Sequence, residues 1–186
     1  MAHELFLDVA HHWPIWLVSA ILVLAATIDG WKLKVPNWIT FPMILAGWTY
    51  ALAACGWSGL WASLAGTALG LALLLPAYAI GGMGAGDVKL LAGVGAWIGV
   101  NDTLWAFGVS ALIGGLIALG MVIWRKKWKH HQRQFVAIVD EILVVRDPAQ
   151  LSALAAERKS RMMLLPYGTP IAIGTIGYFV WAGMLV

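Results

Sequence analysis

Cysteine occurs once in this chain, at Cys55, and only 11% of its 186 residues are charged. A single cysteine excludes an intramolecular disulfide framework and any Cys-x-x-Cys zinc site. The reading it leaves for Cys55 is a small packing residue in a helix. Low charge excludes an ordinary soluble domain, in which about 25% of residues carry charge. No polar segment is long enough to build a large separate soluble domain. Residues 1–13 hold Glu4 and Asp8 but no Lys or Arg, so the positive region that opens a cleavable signal peptide is missing. What is abundant is apolar: 61% of residues are hydrophobic and mean hydropathy is +0.82. The expected fold class is all-α, a polytopic integral membrane protein with 1–186 as one domain.

Apolar runs, glycine breaks and charges predict six membrane helices near 13–29, 37–55, 58–80, 87–100, 103–124 and 166–186. A helix needs about 20 residues to cross a hydrocarbon core about 30 Å thick. The fourth run falls short, covering about 21 Å at 1.5 Å per residue. Either the preceding glycine loop dips into the membrane, or this run merges with its neighbour as a hairpin. Residues 125–165 form the one sizeable polar insertion. Phe135, Ile138, Val139, Ile142, Leu143 and Val145 give it an apolar stripe interrupted by Asp140 and Glu141. This predicts an amphipathic helix on the cytoplasmic surface, suited to docking on lipid or receiving a substrate. Pro166 is expected to open the last membrane helix from its first turn.

Charge is distributed on one side only. All 12 Lys and Arg fall in or beside the 30–36, 81–87 and 125–165 segments, whereas Glu4, Asp8 and Asp102 occupy the opposite side. The positive-inside rule then places those segments in the cytoplasm and both termini outside it, in an inner-membrane, multi-pass arrangement. Attraction to anionic lipid accounts for the net charge of +3, and no nucleic-acid partner is expected. Trp13, Trp31, Trp38, Trp57, Trp61, Trp105, Trp124 and Trp128 lie near predicted helix ends and read as interfacial anchors.

Against this apolar background two acids stand out: Asp29, closing one apolar run, and Asp87, closing Gly81-Gly82-Met83-Gly84-Ala85-Gly86-Asp87. Carboxylates at membrane depth are costly and mark functional or paired sites. Two predicted crossings separate them, which places both near the cytoplasmic face. Two carboxylates brought close in a poor dielectric cannot both stay ionised. The ionised one can take a proton from water while the neutral one donates to a peptide carbonyl, as in aspartic proteases. Either aspartate can hold either role.

Other residues are open to structural as well as functional readings. The glycines before Asp87 either admit an extended substrate strand beside the carboxylate or permit a tight turn and close helix packing. Lys89 either tunes Asp87, binds a substrate acid, or snorkels to the surface. Asn37, after Pro36, is expected to cap the second helix. Gly66-x-x-x-Gly70 and Gly114-Gly115 read as helix-packing positions. The adjacent pairs His11-His12 and His130-His131 diverge by about 100° on a helix, so neither forms a chelate. No metal and no cofactor are expected.

Three strings together resemble a known family. Gly84-Ala85-Gly86-Asp87-Val88-Lys89-Leu90 matches the GxGD signature of type IV prepilin peptidases, which are membrane aspartic proteases. Asp29-Gly30-Trp31-Lys32-Leu33-Lys34-Val35-Pro36-Asn37 resembles the family's first aspartate, basic loop and Pro-Asn turn. Leu165-Pro166-Tyr167-Gly168-Thr169-Pro170-Ile171-Ala172 resembles its late Pro-Tyr-Gly segment. The resemblance implies that Asp29 and Asp87 are the catalytic pair. It also implies that Gly84, Gly86, Lys89, Pro36, Asn37, Pro166, Tyr167 and Gly168 shape the site or bind substrate. The implied activity is removal of the basic leader of a type IV prepilin at the cytoplasmic face. Larger bifunctional members carry a region with Cys-x-x-Cys pairs and methylate the new amino terminus. Lacking those cysteines, this chain is more similar to the short peptidases of Flp/Tad-type pilus systems, so neither methyl transfer nor S-adenosylmethionine is expected. Two other readings are a related peptidase whose partner is a preflagellin or pseudopilin substrate, and a small proton-coupled transporter or assembly subunit. The oligomeric state is not legible.

Overall fold

The structure, a computed structural model, describes residues 2–79, 81–124 and 167–185. All regular secondary structure among these residues is helical, in four elements: α1 (Ala2–Lys32), α2 (Asn37–Ala79), α3 (Ala85–Trp124) and α4 (Gly168–Trp181). The expected amphipathic insertion at 125–165 and the helix-opening role of Pro166 lie outside the described residues. Among the described residues, three segments are long and apolar enough to cross a membrane: His12–Lys32, Asn37–Ala79 and Ala85–Met121.

Two of these long elements are hairpins. In α2, Gly56 has φ 63° and ψ −151°, a conformation open to glycine and outside the helical region. Across it, the Trp48 indole N–H donates to Thr67 Oγ1 at 2.9 Å. On one straight helix those residues would stand about 28 Å apart, so the chain must reverse at Gly56. Gly99 does the same in α3, with φ 74° and ψ −169°. The two reversals, both at glycine, give α2 and α3 two arms each, which with α1 and α4 make six among the described residues; α1 is itself kinked at His12.

The arms meet through small residues. A Cβ placed on Gly66 would run into the Gly95 carbonyl, and one on Gly70 would lie 2.6 Å from the Leu91 carbonyl oxygen. The second arm of α2 therefore crosses the first arm of α3 at backbone contact, as the Gly66-x-x-x-Gly70 spacing predicts. Ser63 donates to the Ala96 carbonyl at 2.5 Å on the same seam. Gly66→Ala should cost about 1–3 kcal/mol through overpacking, read as a lower melting temperature in detergent. Gly108→Ala, with open space around it, should cost nothing, and equal melting temperatures for the two would contradict this crossing.

The buried centre is built from Val18, Leu22 and Ala25 of α1, Met43 of α2, Leu90, Leu91 and Val94 of α3, and Ile171 and Phe179 of α4. Outward faces are equally apolar: Val23, Leu45, Leu75, Leu104, Leu112 and Ile123 are exposed. An exposed apolar surface of this extent is that of a protein solvated by lipid. Trp13, Trp31, Trp38, Trp57, Trp61 and Trp105 are exposed, fitting the anchoring role, with Trp13 the least so. Its ring meets Tyr50 edge-on at 5.2 Å, and Tyr50 stacks on Trp97 at 5.4 Å. The side chains of Trp124 and Trp128 lie outside the described residues.

Boundaries of three elements differ from the sequence expectation, and α1 already begins at Ala2 where the apolar pattern predicts a start near 13. The helix carrying Asp29 continues to Lys32 and ends where Leu33 takes a left-handed φ of 51°, so Asp29 sits in the last turn and not at the end. α3 begins at Ala85, which puts Asp87 third in its first turn. α4 covers Gly168–Trp181 in place of 166–186. Its end is a Schellman turn: Gly183, at φ 67°, donates to the Val180 carbonyl, and Met184 donates to that of Phe179. Gly183 was the signal for this stop. Gly81 ends α2 in the same way, with φ 78° and the paired bonds Gly81 to Tyr78 and Gly82 to Ala77.

Candidate active site

The two aspartates are brought to one end of the helical arms. Asp29 and Asp87 are 2% and 5% exposed, and both line a cavity of about 420 Å³. Its other walls are Leu33, Lys34, Val35, Pro36 and Asn37 from the segment after α1, and Gly84, Ala85, Gly86 and Lys89 from the start of α3.

Each carboxylate is held at the N-terminus of a helix. The first N–H groups of a helix have no partner within it and form its positive end. In α4, the cap residue Tyr167 supplies no side-chain bond. Asp29, 139 residues earlier in sequence, supplies one in its place: its Oδ2 accepts the Gly168 N–H at 2.8 Å. In α3, Asp87 Oδ2 accepts the Gly84 N–H at 3.0 Å, and the Asp87 N–H returns to the Gly84 carbonyl at 3.2 Å. The first of these bonds is the acid half of a capping box, with aspartate at the third helical position; glycine at the cap position has no side chain to supply the other half, and the second bond is a backbone turn. A charge-assisted bond and a helix dipole are what allow a carboxylate to persist in so apolar a protein. The Gly-x-Gly-Asp spacing is thus first a helix start that aims an acid at its own cap.

The glycines divide between their two sequence readings. A Cβ on Gly86 would lie 2.6 Å from the Val35 carbonyl oxygen and 2.9 Å from Val35 Cβ, so Gly86 is used for close packing of the Val-Pro-Asn turn. Gly84 is less enclosed: a Cβ there would meet Asp87 Oδ2 at 3.2 Å. A Cβ on Gly168 would lie 2.8 Å from Asp29 Oδ2, so the carboxylate can reach the helix start only because position 168 is glycine.

Asn37 does not cap α2 as expected. It is the first residue of the helix, and its Oδ1 accepts from Lys89 Nζ at 3.0 Å. The first-turn N–H groups of Ile39 and Thr40 go to the Pro36 carbonyl instead. Lys89 also lies 4.7 Å above the Phe41 ring, so it reaches across to α2 and ties the two walls of the cavity together. The Tyr167 ring faces Gly114.

Seven of the expected site residues therefore line one cavity: Asp29, Pro36, Asn37, Gly84, Gly86, Asp87 and Lys89. Gly168, which holds Asp29, and its neighbour Tyr167 are not among the lining residues, and Pro166 lies outside the described residues. Val35 and Gly114 are contributors that sequence reasoning did not single out for the site. Val35 stands within the recognised Pro-Asn turn, and Gly114 carried only a packing signal. Among the described residues, no group of three or more His, Cys, Asp or Glu side chains converges.

Comparison with known proteins bears on the same residues. The model of the type IV leader peptidase family matches residues 16–119, more than half of the chain and a span containing both aspartates. A prepilin leader peptidase/N-methyltransferase from Aeromonas hydrophila is 31% identical over 123 residues, covering 62% of this chain and 41% of that protein. A protein of the same name from Neisseria gonorrhoeae is 33% identical over 122 residues, covering 56% of this chain and 39% of its own. The chain thus spans about two fifths of the length of these curated relatives. No solved structure is a significant match. With its family model covering both acids and the loops between them, this chain belongs to the type IV leader peptidase family.

Proposed function

We propose that the protein is a membrane aspartic endopeptidase that removes the leader from a type IV prepilin or pseudopilin, with Asp29 and Asp87 activating water. The observation that carries this reading is the shared cavity: two buried carboxylates from different helices face one space, each held by the backbone N–H of a glycine. Both holding glycines lie in the strings that resemble the family.

In this mechanism one aspartate is ionised and the other protonated, because two adjacent negative charges in a poor dielectric repel strongly. The ionised carboxylate takes a proton from water as the oxygen attacks the scissile carbonyl carbon. The protonated carboxyl donates its proton to the carbonyl oxygen, giving a neutral tetrahedral diol. Collapse re-forms the carbonyl, breaks the C–N bond and delivers a proton to the departing amine. The pair acts as one acid–base unit, and either aspartate can start in either role.

The orientation we propose has six crossings with the aspartate end at the cytoplasmic face. Its support is the one-sided distribution of Lys and Arg and the chain reversals at Gly56 and Gly99. The arms 85–98 and 168–181 cover only about 21 Å each. Both begin at the aspartates, so the site would lie somewhat below the membrane surface, reached through the 420 Å³ cavity.

Co-expression with a candidate prepilin in a host lacking its own prepilin peptidase tests the proposal. Leader removal should appear as a faster band on a gel and as a new amino terminus by mass spectrometry. A prepilin left intact beside verified, membrane-inserted enzyme, across the candidate substrates of one genome, would sink it.

A further inference from the structure

We propose that Gly114, on the second arm of α3, is a positioning residue for the aspartate pair and acts through the ring of Tyr167. This inference rests on the peptidase reading above. A Cβ on Gly114 would lie 3.1 Å from Tyr167 Cε2, 3.2 Å from its hydroxyl oxygen and 3.3 Å from Cζ. All three are closer than ordinary van der Waals contact, so the ring is seated in the space that a side chain would fill. The next residue, Gly115, has nothing within 4 Å of its Cβ position. The seat is therefore specific to one of two adjacent glycines that look alike in sequence.

The ring is coupled to Asp29. Tyr167 is joined directly to Gly168, whose N–H holds Asp29 Oδ2 at 2.8 Å. The carboxylate approaches this closely because position 168 is glycine, where a Cβ would stand 2.8 Å from Asp29 Oδ2. A methyl group at 114 pushes the ring away from α3, and the attached backbone carries the Gly168 N–H with it. The outcome is a changed position of Asp29 relative to Asp87, with no loss of a reacting group. Misplacing reactive groups by about 1 Å can cost about 10²-fold in rate.

The test compares Gly114→Ala and Gly114→Val with Gly115→Ala and Gly115→Val, using the full chain and a prepilin that the wild type cleaves. Gly114→Ala should lower kcat about tenfold and Gly114→Val about 10²-fold with KM little changed, while both Gly115 variants stay within about twofold of wild type. Tyr167→Phe removes one of the three crowding atoms. A double-mutant cycle should therefore show Gly114→Ala costing less in that background than alone. Gly114→Ala decides the matter should Gly114→Val fail to accumulate. Wild-type rates for Gly114→Ala, equal losses at 114 and 115, or strict additivity with Tyr167→Phe would each overturn the proposal. A wild-type chain that cleaves no prepilin would instead overturn the peptidase reading.

Discussion

Asp29→Asn and Asp87→Asn should each slow leader removal by about 10²- to 10⁴-fold, the range associated with loss of a positioned acid or base. Asparagine keeps the size of aspartate and retains an oxygen that can accept the Gly168 or Gly84 N–H, now at 2.8 and 3.0 Å. The helix starts should therefore persist, and membrane yield should match wild type. What is lost is proton exchange with water and with the peptide carbonyl. Because the two carboxyls act as a unit, the double substitution should be hardly slower than either single one. Prepilin should still crosslink to all three variants, since binding does not need the proton. Initial cleavage rates from purified enzyme in detergent check this directly. Cleavage within a few-fold of wild type in either single variant would rule out the dyad.

Gly86→Ala should be nearly as damaging although it touches no reacting group. The added methyl would meet the Val35 carbonyl oxygen at 2.6 Å, Val35 Cβ at 2.9 Å and Val35 N at 3.1 Å. Two of those atoms are backbone, so the clash cannot be relieved by a rotamer change. Either the Val-Pro-Asn turn retreats, opening one cavity wall, or the first turn of α3 tilts and carries Asp87 with it. Overpacking of this kind costs about 1–3 kcal/mol in stability, and the displaced acid adds a loss of about 10²-fold in kcat. Gly84→Ala is the comparison: its methyl meets only Asp87 Oδ2, at 3.2 Å. A loss of less than about tenfold is expected there. The reverse ranking would show that the glycine nearest the carboxylate, and not the one under Val35, sets the geometry.

Much of this organisation was legible before any fold was known. The runs 37–55, 58–80, 87–100 and 103–124 marked four helical arms; the reversals fall at Gly56, in the first gap, and at Gly99, just inside the expected fourth run, where glycine accepts the positive φ. The ends were less legible. Gly183 stops α4 by a Schellman turn that an apolar count through Val186 overrides. Leu33 turns left-handed with no glycine to announce it. The role of Asn37 was misread for a physical reason: capping is a local preference, and Lys89, 52 residues away, competes for the same oxygen.

By composition and pattern, the sequence determined a helical membrane protein with two out-of-place acids, and its three short strings pointed to the family. These are local properties: hydrophobicity along the chain, glycine at reversals, acids next to glycine. Only the tertiary structure decided that Asp29 caps a helix 139 residues away, that both carboxylates share one cavity, and that Gly86 and Gly114 are seats for Val35 and Tyr167. Those facts depend on which surfaces meet when helices pack. A missing side chain has meaning only through the atom that occupies its place.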